Sequence, residues 1–157
     1  MDKSFFPYGT KSEDFLIKRT IYLCNYLAKM KVDLIILACN TLSLVALNRV
    51  KPYFKTKIIG VFELFSFKRH SLFIGTKNTL KYIKKKNLEL TLFDGTDIIE
   101  AVENNLDYKS IIKKNEKLFN SFSHIYLGCT HLIKIKELFN DYVSQDELFC
   151  IKMKDSL

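Results

Sequence analysis

Proline is scarce, with two residues in 157, and no segment is low in complexity, so nothing reads as a disordered tail or linker. The longest purely apolar runs, such as Leu34 to Cys39, fall far short of the roughly 18 residues that a bilayer span requires. This excludes a transmembrane helix and a membrane partner. Met1 to Gly9 lacks the apolar stretch and small-residue cleavage site of a signal peptide, which makes the cytoplasm the expected location. The four cysteines, Cys24, Cys39, Cys129 and Cys150, form no C-x-x-C pair, which argues against a zinc site of the usual kind. In a reducing compartment they are expected as free thiols. A formal charge of +8 would suit an anionic partner. The lysines are scattered, however, and their only tight run, Lys84-Lys85-Lys86, ends an expected helix, where it complements the helix dipole. Aromatics do not alternate with lysines, so a nucleic-acid partner is not expected.

What is present suits a globular chain, with 48% hydrophobic and 27% charged residues. Thr10-Lys11-Ser12-Glu13 has the spacing of a capping box, which predicts a helix from near Lys11 with Leu16, Leu23, Cys24 and Leu27 on its apolar stripe. Strands are expected at Val32–Ala38, Lys57–Phe62, Ser71–Gly75, Leu88–Phe93, His124–Leu127 and Leu148–Met153. Helices are expected at Leu42–Val50, Lys77–Lys86, twice between Asp97 and Phe119, and at Leu132–Phe139. This alternation predicts an α/β fold with a parallel sheet. Glu63 to His70 separates two strands without a full helix and is the expected hinge between two lobes, 1–66 and 67–157. Cys24 and Cys150 are expected in the core, and His70 and His124 in structural or exposed positions.

Two segments echo each other. Leu34–Leu42 (LIILACNTL) and His124–Leu132 (HIYLGCTHL) each run from an apolar strand through a small residue to a cysteine, then two polar residues, then a helix. The cysteines, 90 residues apart, each fall at the carboxyl end of a buried strand, the edge at which open α/β sheets bind ligands. A thiol at a helix N-terminus is expected to have its pKa lowered toward neutrality, where it can exchange protons as base and acid. Neighbouring backbone N–H groups can hold a carboxylate, and Asn40, Thr41, Thr130 and His131 add hydrogen-bonding groups. Two such thiols on opposite faces of a chiral carbon would invert it without a cofactor.

Ala38-Cys39-Asn40-Thr41 and Leu127-Gly128-Cys129-Thr130-His131 resemble the two active-site motifs of the aspartate/glutamate racemase family. Pro7-Tyr8-Gly9-Thr10-Lys11-Ser12 resembles its substrate-contacting loop. Ile59-Gly60-Val61-Phe62-Glu63 resembles the stretch that brings an acidic residue near one cysteine, and Gly75-Thr76-Lys77-Asn78-Thr79 resembles a further motif. These follow in family order along nearly the whole chain. The resemblance implies a Rossmann-like sandwich of two pseudo-symmetric lobes, the first carrying Cys39 and the second Cys129. It implies Cys39 and Cys129 as the acid/base thiols, supported by His131 and Glu63. Tyr8, Gly9, Asn40, Thr41, Thr130 and His131 would contact substrate.

The implied reaction is interconversion of L- and D-glutamate, supplying D-glutamate for peptidoglycan, with no metal and no pyridoxal cofactor. The implied partner is the small-molecule substrate, and a homodimer is left open. The family's first strand, ending in Asp-Ser-Gly, has no counterpart, and the chain stops at Asp155-Ser156-Leu157 where members continue. The resemblance thus implies truncation at both ends. The interval between the cysteine motifs is also short, and Leu132-Ile133 replaces an aromatic-proline pair. The alternatives are a non-catalytic remnant or binding module of the same fold, or a racemase for another small amino acid such as aspartate.

Overall fold

The computed structural model describes residues 2–5, 7–86 and 88–154, with backbone alone at 3 and 152–154. Asp155-Ser156-Leu157, the expected chain end, lies outside the described residues. The chain divides into two compact units, Met1–Glu63 and Leu64–Leu157.

The first unit opens with short 3-10 turns at Lys3–Phe5 and Tyr8–Thr10, followed by helix α1, Glu13–Lys29. The cap differs from the expected box: Ser12 is the N-cap, its Oγ accepting from the Phe15 amide at 3.3 Å, while the Thr10 hydroxyl donates to the Pro7 carbonyl. With Phe at the third helical position no side chain returns the bond, so this is a plain cap. Leu16, Thr20 and Cys24 form the buried stripe at successive helical turns, whereas Leu23 and Leu27 stay half-buried. Strand β1 (Leu34–Leu37) then leads through Cys39 into α2 (Asn40–Val45) and α3 (Leu47–Val50), a single expected helix divided at Ala46 (φ −106°). A 3-10 turn at Lys51–Tyr53 holds Pro52, and strand β2 (Lys57–Gly60) pairs in parallel with β1, Leu34 opposite Lys57 through Leu37 opposite Gly60. Gly60 sits where a Cβ would lie 2.6 Å from the Ser43 Oγ. The missing side chain lets α2 lie tight over the end of β2.

The second unit has a four-stranded parallel sheet. In chain order its elements are β3 (Ser71–Gly75), α4 (Lys77–Lys84), β4 (Leu90–Asp94), α5 (Thr96–Glu103), α6 (Tyr108–Phe119), β5 (Ile125–Leu127), a 3-10 segment at Thr130–Leu138, β6 (Tyr142–Val143) and α7 (Gln145–Lys154). The strand order is β4-β3-β5-β6, with Leu72 opposite Ile125 and Ile125 opposite Tyr142. One sheet face carries Leu72, Ile74, Ile125 and Leu127 against Ile98, Ile99 and Val102 of α5 and against Ile112 and Phe119 of α6. On Phe73 and Tyr126 rest Phe65 and Phe67, with ring centroids 4.8–6.0 Å apart. The Tyr126 hydroxyl donates to the Ser66 carbonyl and accepts from the Lys68 amide, so the expected hinge segment is strapped to its own sheet.

Three expectations are corrected here. Leu148–Met153 lies in helix α7, not in a strand: Asp146 and Glu147 complement the helix N-terminus, and a four-residue apolar run cannot by itself distinguish strand from helix. Cys150 is therefore exposed on a helix and not part of the core. The segment after Cys129 is a 3-10 run kinked at Ile135 (φ −129°), consistent with its three β-branched residues Thr130, Ile133 and Ile135, where a regular helix was expected. Cys24 is buried, His70 is exposed and His124 half-buried. Among the described residues no helix is long and apolar enough to cross a membrane.

Gly128 precedes Cys129 with its amide bonded to the Ile74 carbonyl at 2.7 Å, and a Cβ there would lie 2.1 Å from the Phe73 ring and 2.6 Å from that carbonyl. Gly128→Ala is expected to destabilise the protein by about 3 kcal/mol through overpacking, read as a lower urea midpoint at unchanged m.

Candidate active site

The two cysteines occupy matched positions. Cys39 is the residue before α2 with φ −151°, ψ 125°, and Cys129 the residue before the 3-10 segment with φ −141°, ψ 135°. Each is half-buried at the carboxyl end of a parallel strand, in its own unit.

In the first unit, the Thr41 and Leu42 amides and the Thr41 hydroxyl beside the Cys39 thiol favour its ionised form, although none of the helix amides caps it with a hydrogen bond. Burial outweighs them and pushes the thiol above its ordinary value, contrary to the expectation of a lowered pKa. The Ser43 hydroxyl donates to the Cys39 carbonyl at 2.8 Å and ties the strand end to α2. Asn40 is only 2% exposed, and among the described residues neither atom of its side-chain amide has a hydrogen-bond partner. Such an orphan group forgoes roughly 1–3 kcal/mol. Thr41 is buried beside it.

The Tyr8–Thr10 turn packs against α2, with Gly9 buried. The Tyr8 hydroxyl donates to the Asp2 carboxylate, and burial together with that bond pushes the phenol well above its ordinary range. Glu63 is itself exposed on a 3-10 turn after β2 whose Val61 and Phe62 are buried, its carboxylate 3.5 Å from Lys51 Nζ.

In the second unit, His131 Nδ1 lies 3.5 Å from Cys129 Sγ, and its Nε2 lies 2.9 Å from Glu103 Oε2 at the end of α5. Burial holds the imidazole below its ordinary pKa; Glu103 acts in the opposite direction and Lys134 reinforces the lowering. Burial thus favours the neutral ring; Nε2 and Glu103 Oε2 are close but not aligned as a hydrogen bond, and the tautomer with its proton on Nε2 offers Nδ1 as acceptor toward the thiol. Thr130 is half-buried between the two. Thr76 and Thr79, with hydroxyls 3.1 Å apart, are buried at the carboxyl end of β3, the strand beside β5. Sequence reasoning missed Glu103, which no local spacing connects to His131. It noted the Thr76–Thr79 segment only as a motif.

No family model matches the chain. It is 29% identical over 158 residues to the glutamate racemase of Pasteurella multocida, covering 87% of this chain and 59% of that protein. It is 31% identical over 160 residues to the glutamate racemase of Buchnera aphidicola subsp. Schizaphis graminum, covering 87% and 62%. The chain thus spans about three fifths of the length of these relatives. Glutamate racemase from Thermus thermophilus, solved in complex with β-chloro-D-alanine, superposes with TM-score 0.80 at 22% identity over 99% of this chain and 68% of that one. The Francisella tularensis glutamate racemase, in complex with D-glutamate, gives TM-score 0.78 at 23% identity over 99% and 70%. These structures have the same fold: α/β units with parallel sheets.

In a proton NMR titration His131 is expected to titrate below 6.5, the ordinary imidazole value. Glu103→Gln is expected to move it lower still, because the carboxylate is what favours the imidazolium. A depressed native pKa means that the stability contributed by neutral His131 is present above 6.5 and is lost as pH falls through the native pKa. His131→Asn should flatten that part of the stability profile.

Proposed function

We propose that this homologue of the glutamate racemases inverts glutamate at its α-carbon without a cofactor, with Cys39 and Cys129 as the two proton-carrying thiols. The observation that carries the reading is the matched backbone of the two cysteines, each at the carboxyl end of a parallel strand. The chemistry needs one thiolate to take the α-proton from one face and one thiol to return a proton to the other.

For Cys129, the thiol proton passes to His131 Nδ1, and the imidazolium so formed is stabilised by Glu103. For Cys39, burial favours the protonated thiol, which suits the donor of the returning proton. In the reverse direction the Thr41 and Leu42 amides and the Thr41 hydroxyl stabilise the Cys39 thiolate. The substrate's charged α-substituents are assigned to the vacant Asn40 amide, to Thr41 and Thr130, and to the Tyr8–Gly9 turn, so that the carbanionic charge develops against fixed donors. Glu63, paired with Lys51 in solvent, takes no part in this assignment. D-Glutamate made in this way would supply cytoplasmic peptidoglycan synthesis.

Circular dichroism of L-glutamate incubated with the purified protein should show decay of the optical signal, and in D2O the D-product should carry deuterium at Cα. Cys39→Ser and Cys129→Ser should each lower the rate by about 10³-fold, within the range for loss of a general acid or base. No decay beyond that of the Cys39→Ser control would remove the racemase reading. A thermal shift with glutamate in the absence of turnover would then favour a binding module.

A further inference from the structure

Asp2 receives three donors at once. Arg19 Nε lies 2.7 Å from Oδ2 and Arg19 Nη2 lies 2.9 Å from Oδ1, a two-pronged fork, and the Tyr8 hydroxyl adds the third bond. The ion pair is largely shielded, with the two side chains 22% and 15% exposed. The Arg19 guanidinium also lies over the Phe5 and Tyr22 rings, 4.5 and 4.8 Å from their centroids. Arg19 belongs to α1, the longest helix of the chain. The segment it grips has no sheet or long helix to fix it. Among the described residues it is held by a 3-10 turn with a bond from the Lys11 amide to the Tyr8 carbonyl, by the Thr10 hydroxyl donating to the Pro7 carbonyl, and by its contact with α2.

The Tyr8 hydroxyl is already engaged by Asp2, so its natural part is that of an anchor, which leaves the backbone of the turn to meet a ligand. We propose that Arg19, acting through Asp2 and the Tyr8 hydroxyl, is a positioning residue that holds the Tyr8–Thr10 turn against α2 and thereby sets glutamate affinity at the Cys39 half-site. This rests on the function proposed above. A guanidinium suits the task because its planar fork fixes the carboxylate in orientation as well as in place, which an ammonium group does not.

The test combines amide hydrogen exchange with steady-state kinetics on the full chain carrying Arg19→Met, Arg19→Lys or Tyr8→Phe. Tyr8→Phe keeps the ion pair and the ring and removes only the tie, so it guards against a variant that fails to fold. Arg19→Met and Tyr8→Phe should each speed exchange of the Lys11 amide by about tenfold or more. They should raise KM for glutamate by about tenfold while kcat stays within about threefold, the signature of lost uniform binding. Arg19→Lys should fall between, since it keeps the charge and loses the fork.

A raised KM in Tyr8→Phe with wild-type Lys11 exchange would overturn the inference, because the hydroxyl would then be touching substrate itself. Faster exchange with unchanged KM would overturn it too, leaving the contact merely structural. If the wild-type protein binds glutamate without turnover, the racemase reading fails but the inference does not, and the dissociation constant from calorimetry takes the place of KM.

Discussion

In a parallel sheet every strand hands the chain to its crossover at the same edge, so within each sheet whatever follows the last paired residue is delivered to that sheet's carboxyl edge. β1 delivers Cys39, Asn40 and Thr41; β5 delivers Cys129, Thr130 and His131; β3, beside β5, delivers Thr76. Near both edges small residues let neighbouring elements pack closely. Gly60 admits the Ser43 side chain of α2, and Gly128 accepts the Phe73 ring at a distance no Cβ could tolerate. The chemistry at each edge thus depends on a packing decision made one residue or one strand away.

The two cysteine loops share a backbone conformation but differ in how they handle charge. Cys39 is served by amides and a hydroxyl, groups that stabilise a thiolate without exchanging protons with it. Cys129 is served by a titratable imidazole, itself backed by a carboxylate. Desolvation acts on both loops through different groups, raising the thiol in one and lowering the imidazole in the other, and in each case it favours the neutral form.

The positions of β1, β2, β3 and β5 were legible because continuous apolar runs ended in small or polar residues, and the echo around Cys39 and Cys129 marked both strand ends before any coordinates. Less legible was whatever depended on competition between weak preferences. The run Leu148–Ile151 is apolar enough for a strand, but the acidic pair Asp146 and Glu147 just before it starts a helix. The two-residue strand Tyr142–Val143 is too short to leave a pattern, and exists because it pairs with Ile125 and Tyr126. Thr10 and Ser12 both offer a capping hydroxyl, and only the fold decides that Ser12 caps while Thr10 closes the preceding turn. Glu103 could not be read as a site residue, since its relation to His131 arises from α5 lying over the segment after β5. The raised thiol of Cys39 was hidden for the same reason: local sequence displays the helix start and not the burial around it.

Cys129 caps the start of the 3-10 segment that carries His131 two residues later, whereas Glu103 stands on a separate helix. Thiol and imidazole therefore travel as a cassette: any tilt of that turn carries both and leaves their spacing unchanged, while the imidazole–carboxylate distance stretches or shortens. Small displacements of the turn would then retune the basicity of the ring without breaking its link to sulfur, making α5 a fixed electrostatic reference against which the proton carrier is adjusted.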